Sequence, residues 1–439
     1  MITLLATNWA AIGKTAGGIA LAILILLAMV SIHEFGHYVA GKLLGFKITE
    51  FSIGFGPAIF KKRSKKSGEL FAIRIIPLGG YCAFDGEEYD EEDERAEAQK
   101  RMESDPQEEP FADFSEVQEV QKSQEEPTVS ATNECSDAVS KEETPFEYPE
   151  PKGVRFNEQA PWKRIVVLVA GALMNYLLAL ILLVIMCFSY GVPMCIAIPI
   201  NYQGETLAPA EWEYAELAST DIIVSIDGKE IGMYTDCMDA LKGKKAGETV
   251  PVTVYRLCDA IVDGEQTRAW RQKEVSLTLL ADGDFSNSAD MAALEAALGF
   301  SIGTQSVGRD FWHTLGGAFR YSGEMATSVL RTLGELITGA FGNQTADVVG
   351  GPVSMIGTTA QVAISSPFSF LYIASFIGVN LAVFNLLPVP ALDGCKVIFC
   401  IIEWIRKKPV NRKLEMIVNL VGITFLFGFA ILIDLLKLF

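Results

Sequence analysis

The stretch "GGIALAILILLAMVSIHEFGHYVAGK", residues 17–42, decides the fold. From Gly17 to Val30 it carries no ionisable side chain. With the residues that follow it is long enough for a membrane-spanning helix, which needs about 20 apolar residues. His33, Glu34 and His37 then interrupt it before Lys42 marks the membrane boundary. Ionisable groups are costly inside a bilayer and are rare there without a partner or a function.

His33-Glu34-Phe35-Gly36-His37 is an H-E-x-x-H motif. Residues four apart on a helix share a face, so both imidazoles can reach one ion, with Glu34 beside them. Catalytic zinc takes three protein ligands and keeps one open position. Snorkelling explains a Lys at a helix end but not a Glu between two histidines. The chain holds only three histidines, and His313 reads as a packing or surface residue. At 1.5 Å per residue, His37 lies about 7 Å along the axis from Lys42, which makes the site shallow. A third ligand is expected from "NLAVFNLLPVPALDGCKV", residues 380–397. Asp393 is the only acid between Gly351 and Glu403, and it follows a Pro-broken helix. Irregular backbone at membrane depth is tolerated where it lines a protein cavity. Asp-Gly also suits a turn.

The rest of the chain fits this opening. Of 439 residues, 50% are hydrophobic, with a mean hydropathy of +0.28. Apolar stretches at 17–40, 164–190, 368–392 and 415–436 span or nearly span a bilayer. A cleaved signal peptide is rejected for the first, which lacks a basic leader and a small-residue cleavage site. The net charge of −18 is local, because residues 85–150 hold 24 Asp/Glu against 5 Lys/Arg. No basic stripe points to nucleic acid. The eight cysteines form no CxxC pair and read as small hydrophobes.

Lys and Arg cluster after the first span, before the second, and between the third and fourth. The positive-inside rule makes those loops cytoplasmic, with both termini and the long 191–367 segment outside. The sequence therefore predicts an α-helical polytopic membrane protein with four transmembrane helices. Span one (17–42) is followed by a membrane-associated β-rich region (43–84) that hugs the cytoplasmic face. An acidic cytoplasmic insert (85–160) follows, too poor in apolar residues to fold. After span two (161–190) comes a compact α+β unit (191–285). A linker (286–367) contains an amphipathic helix with Phe311, Leu315, Phe319, Val329, Leu333 and Ile337. Span three (368–395), a cytoplasmic loop (396–414) and span four (415–438) complete the chain.

HEFGH in the first span with NLLPVPALDG in the third resembles the site-2 protease family of intramembrane zinc metalloproteases, especially its bacterial branch that cleaves anti-sigma factors. "IPLGGYCAF" is similar to that branch's membrane-associated β-loop. "VAGALMNYLLA" is similar to its second-span motif, and the α+β unit resembles its extracytoplasmic PDZ domain. The resemblance implies that His33, His37 and Asp393 bind Zn2+ and that Glu34 is the general base. Asn380 and Asn385 would hold substrate or steady the transition state, with helix–helix contacts as the alternative. Asn175 belongs to the second-span motif and is carried as a substrate-side residue. Gly79, Gly80 and Tyr81 would belong to an edge, expected at 70–82, that pairs with an unwound substrate. Implied partners are the lipid bilayer and single-span membrane proteins already trimmed by another protease, or remnant signal peptides. The setting is the bacterial cell membrane. A cytoplasmic adaptor could dock on the acidic insert. A non-catalytic scaffold or metal-binding transporter is the competing reading; it needs no base beside its ligands, so Glu34 separates the two.

Overall fold

The computed structural model describes residues 2–87, 148–199, 221–262, 265–288, 290–308, 310–339 and 352–436. The expected disordered insert and its adaptor role fall mainly on residues 88–147, which lie outside the described residues.

Among the described residues four helices are long and apolar enough to cross a membrane. Helix α1 (Ile2–Leu44) contains the first, from Gly13 to Leu44. Helix α2 (Pro161–Tyr190) begins with proline at a position that needs no N–H donor. It buries one face, Val167, Gly171, Asn175, Leu183 and Met186 among others, against its neighbours.

Two long strands fill the interval between α1 and α2. Strand β1 (Ile48–Arg63) pairs antiparallel with β2 (Leu70–Phe84). The register shows a folded sheet rather than a simple hairpin. Residues 50–53 face 80–83 on one side and 70–73 on the other, and 70–73 also face 60–63. Each strand bends back on itself at glycines in the left-handed region, Gly54 (φ 87°) in β1 and Gly79 (φ 153°) in β2. A side chain at Gly79 would overlap the Phe55 ring. The edge expected at 70–82 is thus shorter and shifted. Residues 70–73 are paired on both sides, and 80–84 form the outer segment of the sheet.

The C-terminal end of the acidic segment also differs from expectation. Val154 bridges Phe46, and Phe156 is buried against Phe46 and Phe84. Residues 148–158 are therefore anchored by aromatic packing. Lys47 bonds Asp85, and Arg155 assists, which together hold that carboxyl below its usual range.

The second sheet has the order β7-β6-β4-β3-β8. Its strands are β3 (Val192–Pro199), β4 (Ile222–Ile226), β6 (Thr249–Val262), β7 (Glu265–Thr278) and β8 (Phe300–Val307), with short β5 (Lys229–Glu230) on β4. Helices α3 (Tyr234–Leu241) and α4 (Met291–Leu298) add Met238, Leu241, Leu294 and Leu298 to its core. The sheet draws its last strand from beyond residue 285, so the unit is longer than its sequence boundaries suggested.

Helix α5 (Phe311–Thr338) forms within the expected linker, but the apolar residues expected on it do not share one face. Ala318, Met325 and Val329 pack inward, whereas Phe311, Phe319 and Ile337 are exposed. Its polar side docks on the β-unit through Arg331–Asp239 (2.5 Å) and Arg320–Glu230 (2.9 Å). Helix α6 (Pro352–Ala363) precedes the third span, α7 (Pro367–Asn385). Residues 396–414, expected as a loop, are mostly helix α8 (Asp393–Arg406); α9 (Arg412–Leu436) follows.

Candidate active site

Helix α1 brings His33 Nε2 within 3.1 Å of His37 Nε2, the one-turn spacing that four residues produce. Asp393 Oδ2 lies 3.0 Å from the first nitrogen and 3.3 Å from the second. Both histidines are buried and Asp393 is half-buried. The three ligand atoms lie within 4.8 Å of one another. His37 Nδ1 donates to the Val167 carbonyl at 2.8 Å. That bond fixes the tautomer and leaves the Nε2 lone pair aimed at the convergence point. Two imidazole nitrogens and one carboxylate oxygen, with an opening beside them, are a donor set suited to catalytic zinc.

Small residues let the helices come this close. A side chain at Gly36 would overlap the Ala170 carbonyl, and one at Gly171 would overlap the rings of His37 and His33. Asp393 arrives differently. The third span ends at Asn385, and Leu386–Leu392 carries the chain around to α8, which Asp393 opens. Ala391 is left-handed (φ 79°), and its N–H donates to Asn419 Oδ1 of α9 at 3.4 Å. Non-glycine residues are rarely held there without surrounding support.

The ligand atoms open into a cavity of about 640 Å³ lined by Glu34, Tyr81, Glu87, Arg155 and Lys396 among others. The β2 segment forms one wall. A Cβ at Gly80 would lie 3.3 Å from Glu34 Cγ, so glycine sets the closeness of strand and carboxylate. Tyr81 sits in the same wall, its hydroxyl bonded to Glu50 (2.9 Å) and Arg74 (2.6 Å).

The structure does not gather every expected residue. Asn175 and Asn385 each place Nδ2 3.5 Å from His33 Nδ1. Asn380 donates to Phe376 O of its own helix at 2.9 Å. Gly79 serves the strand bend rather than the cavity. Two ion pairs escaped the sequence reading. Lys396, one turn after Asp393, reaches Glu87 at 2.7 Å across the cavity. Arg164 pairs with Glu403 at 2.5 Å, both buried, tying α2 to α8. Nothing in linear spacing connects residues so far apart.

The model of peptidase family M50 matches residues 21–429. The zinc metalloprotease RasP of Bacillus licheniformis is 28% identical, covering 92% of this chain and 94% of the relative. The regulator of sigma-W protease RasP of Bacillus subtilis is also 28% identical, with the same coverage. A probable protease, eep, of Enterococcus faecalis is 26% identical over 94% of this chain and 96% of its own length. With the spans and the converging donor set, these matches exclude the scaffold and transporter readings. The chain belongs to peptidase family M50, the site-2 proteases, and is a bacterial membrane-embedded zinc metalloprotease.

Proposed function

We propose that His33, His37 and Asp393 hold the zinc, and that Glu34 is the general base for hydrolysis of a peptide bond laid against residues 80–84. The observation that carries this reading is the convergence of three ligand atoms beside Glu34, in a cavity walled by an outer strand segment. When bound, zinc polarises the scissile carbonyl and lowers the pKa of water. Glu34 takes the proton from the attacking water and passes it to the leaving amine, the usual double duty of a positioned acid–base group. Support from the strand matters because a helical substrate hides its carbonyls in its own hydrogen bonds. Added as a strand at 80–84, it exposes one carbonyl while its other backbone groups stay paired. Gly80 and Tyr81 belong to that strand segment, and Asn385 lies 3.5 Å from His33 Nδ1.

The substrates are single-span membrane proteins cut near the cytoplasmic boundary after another protease has trimmed them. Anti-sigma factors fit this description, as the name of the Bacillus subtilis relative suggests; remnant signal peptides also fit. The placement of Lys and Arg supports a cytoplasmic cavity with both termini outside. The 192–307 unit is then an extracytoplasmic PDZ-like domain, which α5 ties to the bundle, and it screens out bulky ectodomains. The acidic insert offers a cytoplasmic adaptor its docking site.

A proline scan across 80–84 tests the strand wall, because proline removes one ladder donor. In purified protein with a transmembrane peptide substrate, prolines at donor positions facing the cavity should lower cleavage at least tenfold while zinc content stays unchanged. Full activity at all five positions would refute strand addition.

A further inference from the structure

The Asn175 side chain is 1% exposed in the middle of α2, and its Oδ1 has no hydrogen-bond partner. Its other amide atom, Nδ2, lies 3.5 Å from His33 Nδ1, the ring nitrogen opposite the one that meets Asp393 and His37. A buried amide oxygen left unpaired is costly, and most such atoms in proteins find a partner. The adjacent ring nitrogen is the group it can serve.

The chemistry of imidazole states when. While His33 Nε2 donates to Asp393, Nδ1 is an acceptor and the amide N–H suits it. Once the Nε2 lone pair goes to a metal, the ring proton must sit on Nδ1, which then needs an acceptor. The two ends of an amide have nearly the same shape. Half a turn about the Cβ–Cγ bond brings Oδ1 to the ring and answers that need. We propose that Asn175 is the positioning residue for His33: its carbonyl oxygen accepts from His33 Nδ1–H and thereby fixes the ring for metal binding. His37 has the matching support in Val167 O. Each imidazole then has an oxygen acceptor behind it, and both acceptors come from α2.

Asn385 also places an amide 3.5 Å from His33 Nδ1, but it differs in two respects. It is half-buried, and it closes α7 just before the turn that leads to Asp393. Asn175 is therefore assigned to the metal and Asn385 to the substrate side. A group that hydrogen-bonds a metal-bound histidine changes metal affinity typically by about 10–100-fold when removed.

This assignment rests on His33, His37 and Asp393 being the ligands. The test is zinc affinity, measured by competition with a chromogenic chelator on purified, detergent-solubilised protein without substrate. Wild type, Asn175→Asp, Asn175→Leu and Asn385→Leu are compared, with apo melting temperatures beside them. Asn175→Leu should bind zinc about 10–100-fold more weakly. Asn175→Asp keeps an acceptor in the same place and should stay within about threefold of wild type, as should Asn385→Leu. An unchanged affinity in Asn175→Leu would overturn the proposal. So would a tenfold loss in Asn175→Asp, which would show that the N–H end or bare volume is what matters. The aspartate arm decides the matter even where leucine lowers the apo melting temperature. Failure of wild type to bind zinc would instead break the ligand assignment itself, a distinct result.

Discussion

Helices α2 and α9 are both membrane spans, yet they hold the site in opposite ways. A third of α2's apolar window is buried, including Gly171 against the His33 and His37 imidazoles and Val167 and Asn175 behind them. In α9 the corresponding share is 6%, and among its described residues only Gly422 is buried. Gly422 lies against Pro390, and Asn419 reaches Ala391, so α9 touches the turn that delivers Asp393. The two histidines are built into a packed helix pair, whereas the carboxylate opens α8, which Arg164–Glu403 ties to α2, after a turn that α9 braces. Close packing resists added volume, and interiors built by glycine contact resist it most.

This contrast can be attacked directly. Gly171→Val should have the largest effect. It drives two methyls into the His33 and His37 rings, and zinc binding and cleavage should both fall more than 100-fold, measured by metal content and peptide turnover. Retention of zinc at wild-type level would show that α1 and α2 can separate without harm. Breaking the buried Arg164–Glu403 pair comes next. Glu403→Ala leaves a buried guanidinium uncompensated and should cost about 3–5 kcal/mol, seen in denaturant titration of the solubilised protein. A loss under about 1 kcal/mol would mean that water already reaches Arg164. Gly422→Val should be the mildest. A loosely held helix can tilt away from Pro390, so activity should drop about 3–10-fold with little change in melting temperature. A loss as deep as that of Gly171→Val would erase the distinction between the two helices.

The histidine half of the site could be read from the sequence because its geometry is local. Four residues on a helix fix the spacing of His33 and His37, and no distant contact is needed to see it. Asp393 was readable for another reason: it is the lone acid in a long apolar segment. The β wall was harder. The apolar run "LFAIRIIPLGGYCAF" signals strand, but which half is paired on both sides depends on where β1 folds back at Gly54. That is a tertiary outcome, and it shifted the expected edge from 70–82 to 80–84. Arg164 teaches a similar lesson. In the sequence it counts as a topological charge at the membrane boundary; in the fold it is a buried partner of Glu403, 239 positions further along the chain. The same holds for Lys396, which reads as part of a cytoplasmic loop and instead stands in the cavity wall facing Glu87. The β-unit's last strand was missed because β8 follows a helix and is claimed for the sheet only by pairing with β3.

The central claim is that three residues hold the metal while Glu34 moves the proton. Glu34→Gln separates these roles, because glutamine keeps the shape but cannot act as a base. Zinc content and cleavage of a trimmed single-span substrate would be measured together, for wild type and variant, in the same purified membranes, with a chelator-treated wild-type control. The account predicts chelator-sensitive cleavage by wild type, and in Glu34→Gln undiminished zinc with cleavage reduced at least 1,000-fold, about 4 kcal/mol of transition-state stabilisation. Cleavage by Glu34→Gln within tenfold of wild type, at equal zinc content, would contradict it.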